Sequence, residues 1–362
     1  MAHVPWVAVS NCRIRVRQWW PNRQPCSAPS FRLSRMLPIK PFLSLLSPGL
    51  ARGRLSVLIF HRVLPRSDPI FPGEVDAGQF DQILGWLRAW CNVLPLDQAV
   101  ARLKSGSLPP RAAAITFDDG YADNHDVALP LLARHGLPAC FFIATGFLDG
   151  GRMWNDTVIE ALRRCPHEAI DLGGLGLPEP SGDDHWALTD VAARRRVIES
   201  VIGRIKYVDP ALRQSLADAV AVRSGAQLPD DLMMTSTQVR KLSGAGMQIG
   251  AHTHSHPILA RLPAQDALQE IRQSKESLEQ LLDQPVDLFA YPNGRPGKDY
   301  DQTNVDLVRK LGFAAAVSTA VGAADAAADP FQLPRFTPWD RTRTRFGLRL
   351  ASNLWSARAA AH

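Results

Sequence analysis

From Leu55 to Phe336 the chain alternates short, unbroken apolar runs with amphipathic stretches of helical period, and few folds accept that rhythm. The runs at 55–60, 112–117, 139–143, 247–251, 286–290, 313–317 and 331–336 lack the polar alternation of a strand with one wet face. Each therefore predicts a strand covered on both sides, as in a parallel sheet. Between them, residues 79–90 place Phe80, Ile83, Leu84 and Leu87 on one helical face, and 126–135 stops at Gly136. Later, 264–282 spaces Leu268, Ile271, Leu278 and Leu282 on helical faces, and 305–311 stops at Gly312. The expectation is an α/β fold: a distorted (β/α) barrel of about seven strands, closed or incomplete, over residues 55–340. Residues 152–235 break the rhythm with helical stretches at 157–164, 189–206 and 210–223, which predicts a helical insertion between two barrel strands.

Charge divides the chain in the same places. Of 362 residues with a net charge of +6, the first 54 hold nine Lys/Arg and no acid, and residues 335–362 hold six Arg against Asp340 alone. The middle therefore carries 26 Lys/Arg against 34 Asp/Glu, a balance that excludes a nucleic-acid surface there. Residues 1–54 read as a basic, poorly ordered segment and 341–362 as a basic tail, both suited to touch an anionic membrane from its surface. No run approaches the roughly 18 apolar residues of a membrane-spanning helix. Arg13, Arg15 and Arg17 interrupt any export signal, so a cytoplasmic or membrane-peripheral protein starting at Met1 or Met36 is expected. Five cysteines without a C-x-x-C pair suggest no disulfide framework.

In (β/α) barrels the chemistry lies past the carboxyl ends of the strands. Here those positions hold His61-Arg62, then Asp118-Asp119-Gly120, then His252-Thr253-His254-Ser255-His256, then Tyr291-Pro292-Asn293-Gly294. If the chain enters a helical turn after its strand, His252 and His256 face one side and can share a metal ion with a carboxylate from Asp118-Asp119. Two imidazoles and one carboxylate leave coordination positions open for water and substrate, as catalytic sites require. The second acid is then free to act as a base.

Together, Thr116-Phe117-Asp118-Asp119-Gly120 and His252-Thr253-x-x-His256 resemble the first two signature motifs of the polysaccharide deacetylase family, carbohydrate esterase family four. The pattern is nearest to bacterial exopolysaccharide and poly-N-acetylglucosamine deacetylases. The resemblance implies a barrel with one divalent metal, zinc first, with cobalt or nickel as alternatives, and removal of N-acetyl groups from an acetylated polysaccharide or its precursor. It implies Asp118 as general base and Asp119, His252 and His256 as metal ligands. It also implies an oxyanion-binding loop at Tyr291 and Asn293, although Ala290 stands near where the family carries an arginine. Arg335 is the candidate to fill that role. The family's late histidine is absent, since only His362 follows His256, and His61 is the substitute general acid. Trp154 and Trp339 are candidate sugar-stacking rings, and His254 a supporting residue. Two further readings use the same residues: a carbohydrate-binding pseudoenzyme, and an O-acetyl ester or cyclic amide hydrolase.

Overall fold

The computed structural model describes residues 39–178 and 184–356. Along the chain run α1 (Ile39–Leu46), β1 (Leu55–Phe60), α2 (Ala77–Trp90), β2 (Asn92–Val93), α3 (Leu96–Lys104) and β3 (Ala112–Phe117). A π-helical turn leads into α4 (Leu129–His135), followed by β4 (Cys140–Ile143), α5 (Trp154–Arg164), β5 (Ala169–Asp171), β6 (His185–Ala187), α6 (Val191–Ile205) and α7 (Pro210–Ser224). Then come α8 (Ser236–Gly244), β7 (Gln248–Ala251), α9 (Ala264–Leu282), β8 (Leu288–Ala290), α10 (Gln302–Lys310), β9 (Ala315–Val321), β10 (Leu333–Phe336) and α11 (Arg343–Trp355).

Seven parallel strands close on themselves in the order β1-β10-β9-β8-β7-β4-β3, with β3 returning to β1 along its whole length. The barrel is therefore closed. The short strand β2 lies beside the first residues of β3, while β4 pairs with its last two. Period-two alternation sorts the side chains. Ile115, Phe117, Phe141 and Phe289 join α2 and α9 in an outer core with Phe80, Ile83, Leu84 and Ile271. Val57, Ala112, Ala114, Phe142, Ala290, Ala315, Val317 and Leu333 form a second cluster inside the barrel, closed below by Leu96, Ala99, Val100 and Leu103 of α3. Gly250 has to be small, because a Cβ there would lie 2.4 Å from the Phe142 ring.

The segment between β4 and β7 builds its own core, with Val158 and Leu162 of α5 against Val197 and Val201 of α6 and Leu216 and Val220 of α7. Two expectations about the ends need correction. Helix α11 occupies most of the 341–362 stretch expected to be a tail, and buries Phe346, Leu350 and Leu354 on the barrel. The packed body also begins before residue 55, at α1, whose Ile39 lies on Gly347 of α11. Charge misled here, since α11 is basic only on its outer face. The expectations for residues 1–38, including Met36 as a start and the broken export signal, and for 357–362, fall outside the described residues.

Candidate active site

The alternation that points Ala112 and Ala114 into the barrel also points Thr116 and Asp118 there, and likewise takes Leu333 and Arg335 inward from β10. Register puts Arg335 level with Val57, and Val57 level with Ala114, so the small alanine side chains leave room for a guanidinium. Arg335 grips the Asp118 carboxylate with both Nη atoms at 2.7 Å, while its Nε donates to the Ser318 carbonyl at 2.7 Å. Both side chains are buried. Burial pushes the Asp118 pKa up, but the opposing pull of Arg335 and His252 leaves it below the usual carboxylate value. Arg335, the sequence candidate for the family's displaced arginine, is thus brought onto Asp118.

Asp119 follows with φ 77°, a left-handed conformation that turns its carboxylate away from that of Asp118. Gly120 continues the turn at φ 91°, packed so closely on Ile143 that a Cβ would meet it at 3.3 Å. Nε2 of His252 and Nε2 of His256 lie 3.3 and 3.4 Å from Asp119 Oδ1. All three donors fall within 4.8 Å of one another, and all three residues are buried. His252 Nδ1–H donates to the Ala290 carbonyl at 2.7 Å, which fixes the tautomer and leaves the Nε2 lone pair facing Asp119. His256 Nε2 is buried and has no hydrogen-bond partner among the described residues. An unpartnered, buried imidazole nitrogen beside a carboxylate fits a divalent cation. Burial raises and the two imidazoles lower the Asp119 pKa, with a net value well below the ordinary one.

The helical turn expected between the two histidines is not there. The loop instead uses left-handed Thr253 (φ 62°) and His256 (φ 55°), and the Thr253 hydroxyl accepts from the His256 amide at 3.1 Å. Glu270 of α9 fastens this loop from outside, accepting from the amides of His254 and Ser255 at 3.0 and 2.8 Å. His254 bonds Thr145 Oγ1 through Nδ1 and serves the loop. The sequence carried no signal for Glu270 beyond its place on an amphipathic helix.

His61 is buried just past β1, where Asp119 and Asp118 are the anions that act on it most strongly. Burial outweighs them and holds its imidazole below the usual value. Asn124 Nδ2 anchors its carbonyl at 2.8 Å. His61 opens onto a groove lined also by Arg62, Glu74 and Trp339, the last of which is 46% exposed. Trp154 is not at the mouth. Its ring packs on the insertion core beneath Arg213, 5.0 Å away, because α5 starts with this residue facing inward. Tyr291 also differs from expectation. Its amide donates to the Val317 carbonyl as part of the sheet, its hydroxyl to Phe331, and its ring stacks on Tyr300 at 3.9 Å. The ladder takes the N–H intended for an oxyanion. Asn293, half-buried at φ 60° in the loop beyond, remains at the strand end.

The closed parallel barrel thus carries a carboxylate–imidazole–imidazole cluster that could hold a divalent ion, beside a second carboxylate held by an arginine. The chain resembles the polysaccharide deacetylase family: the family model named Polysaccharide deacetylase matches residues 105–170 and 208–316, omitting 171–207 of the insertion. A curated relative, the putative polysaccharide deacetylase YxkH of Bacillus subtilis, is 19% identical over 75% of this chain, and this chain spans 66% of that protein. Among solved structures, the Streptococcus pyogenes deacetylase PplD, in complex with acetate, superposes with a TM-score of 0.56 at 19% identity, covering 82% of this chain and 98% of its own. IcaB from Ammonifex degensii gives 0.51 at 18% identity, covering 84% and 97%. These likenesses confirm the fold.

Proposed function

We propose that the protein is a metal-dependent hydrolase that removes N-acetyl groups from an acetylated aminosugar polymer or its precursor. The observation that carries this reading is the pairing of two carboxylates with different partners: Asp118 held by Arg335, Asp119 facing two imidazole nitrogens. Asp119, His252 and His256 would hold the divalent ion, with zinc favoured and cobalt or nickel as alternatives. When bound there, such an ion polarises a carbonyl and acidifies water.

Asp118 takes the proton of the attacking water, and Arg335 keeps both carboxylate oxygens oriented while it does so. His61, beside both acids, passes a proton to the leaving amine. Asn293, free of the ladder bond that occupies the Tyr291 amide, is the protein's contribution to the oxyanion. Trp339, exposed beside His61, offers an apolar face to a sugar ring. The presence of base, ligand set and orienting arginine supports turnover over sugar binding alone.

The test compares the wild type with Asp119→Ala and Asp118→Asn, measuring metal by plasma emission and acetate from N-acetylated and O-acetylated oligosaccharides. The wild type should carry about one divalent ion per chain, as a three-donor site holds one ion. Asp119→Ala should lose the ion, while Asp118→Asn should keep it and release acetate about 10²- to 10⁴-fold more slowly. Wild-type acetate release by Asp118→Asn would remove Asp118 from its role, and a metal-free wild type after incubation with zinc, cobalt or nickel would end the reading.

A further inference from the structure

Where the insertion meets the barrel, the α6–α7 connection and the loop leaving His256 enclose a pocket lined by Lys206, Tyr207, Asp209, Arg213, Ile258 and Arg261. Its innermost cation is Arg213, only 7% exposed. One Nη of Arg213 donates to the Lys206 carbonyl at 3.1 Å, whereas its buried Nε has no hydrogen-bond partner among the described residues. No ion pair to Arg213 forms among those residues either. A guanidinium cannot escape such a position by losing its proton, so the charge stays and calls for an anion.

The nearby carboxylates supply it only in part: Asp209, on the pocket wall, acts on Arg213 through its charge but forms no ion pair with it. Asp209 spends its Oδ1 on the amides of Ala211 and Leu212 at 2.9 and 3.1 Å, capping α7. Asp299 is buried and accepts from the Arg295 amide at 3.1 Å. Against these two acids stand Lys206, Arg213, Arg261, Arg295 and Lys298. Lys298 and Lys206 flank the exposed Tyr207 ring at 4.8 and 5.6 Å. Such a gathering of cations in the net-acidic part of the chain is self-repelling unless an anion joins it.

We propose that this pocket is an oxyanion subsite that receives a phosphoryl or carboxyl group carried by the glycan substrate. Both groups suit the donors of a guanidinium, and Lys206 and Arg261 add charge at the rim. The chain links the pocket to the reaction site. Ile258 lies two residues beyond His256, and Trp154, under Arg213, opens the helix whose Asp156 accepts from Tyr121 next to Asp119-Gly120. The subsite deepens the deacetylase reading and rests on it for the identity of the substrate, which becomes an acidic glycan or one borne on a phosphate carrier.

Binding is measured first, without turnover, by titrating inorganic phosphate and then glucuronate into the full chain calorimetrically, using wild type, Arg213→Gln and Arg261→Gln. Saturable binding of at least one of the two is expected in the wild type, weakened about tenfold or more by either variant, because a charge-assisted contact is lost. Arg261 is exposed, so Arg261→Gln tests the pocket even if Arg213→Gln fails to fold. No saturable binding of either anion, or equal affinity in wild type and Arg261→Gln, overturns the subsite.

Acetate release is then followed on neutral, uronate-bearing and diphosphate-bearing acetylated oligosaccharides. Arg261→Gln should raise KM for one of the anionic substrates, thereby naming the source of the group, and leave the neutral one unchanged. An equal change on all three overturns the assignment to substrate. Anion binding by a wild type that releases acetate from none of them sustains the pocket and refutes the deacetylase reading.

Discussion

Arg335 occupies a position that its own neighbourhood in sequence does not announce, since Leu333, Pro334 and Phe336 surround it and every one of them is buried. Its charge is tolerated because Asp118 meets it with two bonds at 2.7 Å and the Ser318 carbonyl takes a third. Arg335→Gln removes the cation and strands a buried carboxylate. The acid limb of the rate profile should then move up by about 1 to 3 pH units, as the pKa of Asp118 is released. The variant should also lose about 3 to 5 kcal/mol of stability at neutral pH. Because the folded-state pKa of Asp118 is depressed, the wild type's advantage is present above the unfolded value of about 4 and disappears as pH falls through the folded one. Urea denaturation across that range, beside acetate-release kinetics, checks both statements. An acid limb that stays in place would mean that Asp118 is not the titrating base.

At the level of elements, α9 shapes the candidate metal site without contributing a residue to it. Glu270 receives two amides and the Ser255 hydroxyl, at 2.6 Å for the last, and so holds the loop that carries both imidazoles. Glu270→Ala should leave the fold intact, because the residue is half-buried in the second turn of a helix whose packing on the core runs through the buried Ile271 and Leu278. Metal affinity should fall about 10- to 100-fold, the range found when a group that orients a ligand is removed. Competition with a chromogenic chelator measures it. Unchanged affinity would show that Thr253 alone suffices to hold the loop. The spacing His252-x-x-x-His256 suggested a helix, and the loop achieves the same convergence through left-handed residues, a choice that local sequence does not encode.

For the whole molecule, α11 is part of the folded body. Deleting residues 341–362 would expose the surface covered by Phe346, Leu350 and Leu354, worth about 5 to 9 kcal/mol at roughly 1.5 to 3 kcal/mol per buried side chain. It would also remove the Leu354 carbonyl that Arg54 binds. Thermal unfolding should show a drop of many degrees, and an unshifted midpoint would return these residues to the status of a tail. The sequence by itself determined the seven barrel strands, because runs of five or six mainly apolar residues call for cover on both faces, and it pointed to the candidate ligands, because Asp119, His252 and His256 stand just past strand ends. The tertiary structure decided which groups meet: β10 returns beside β1 and brings Arg335, already a candidate in the sequence, to Asp118 across 217 residues, the sheet claims the Tyr291 amide, and Trp154 turns into the insertion core. Those outcomes depend on barrel closure and register, which are set by long-range packing and leave no periodic trace in the chain.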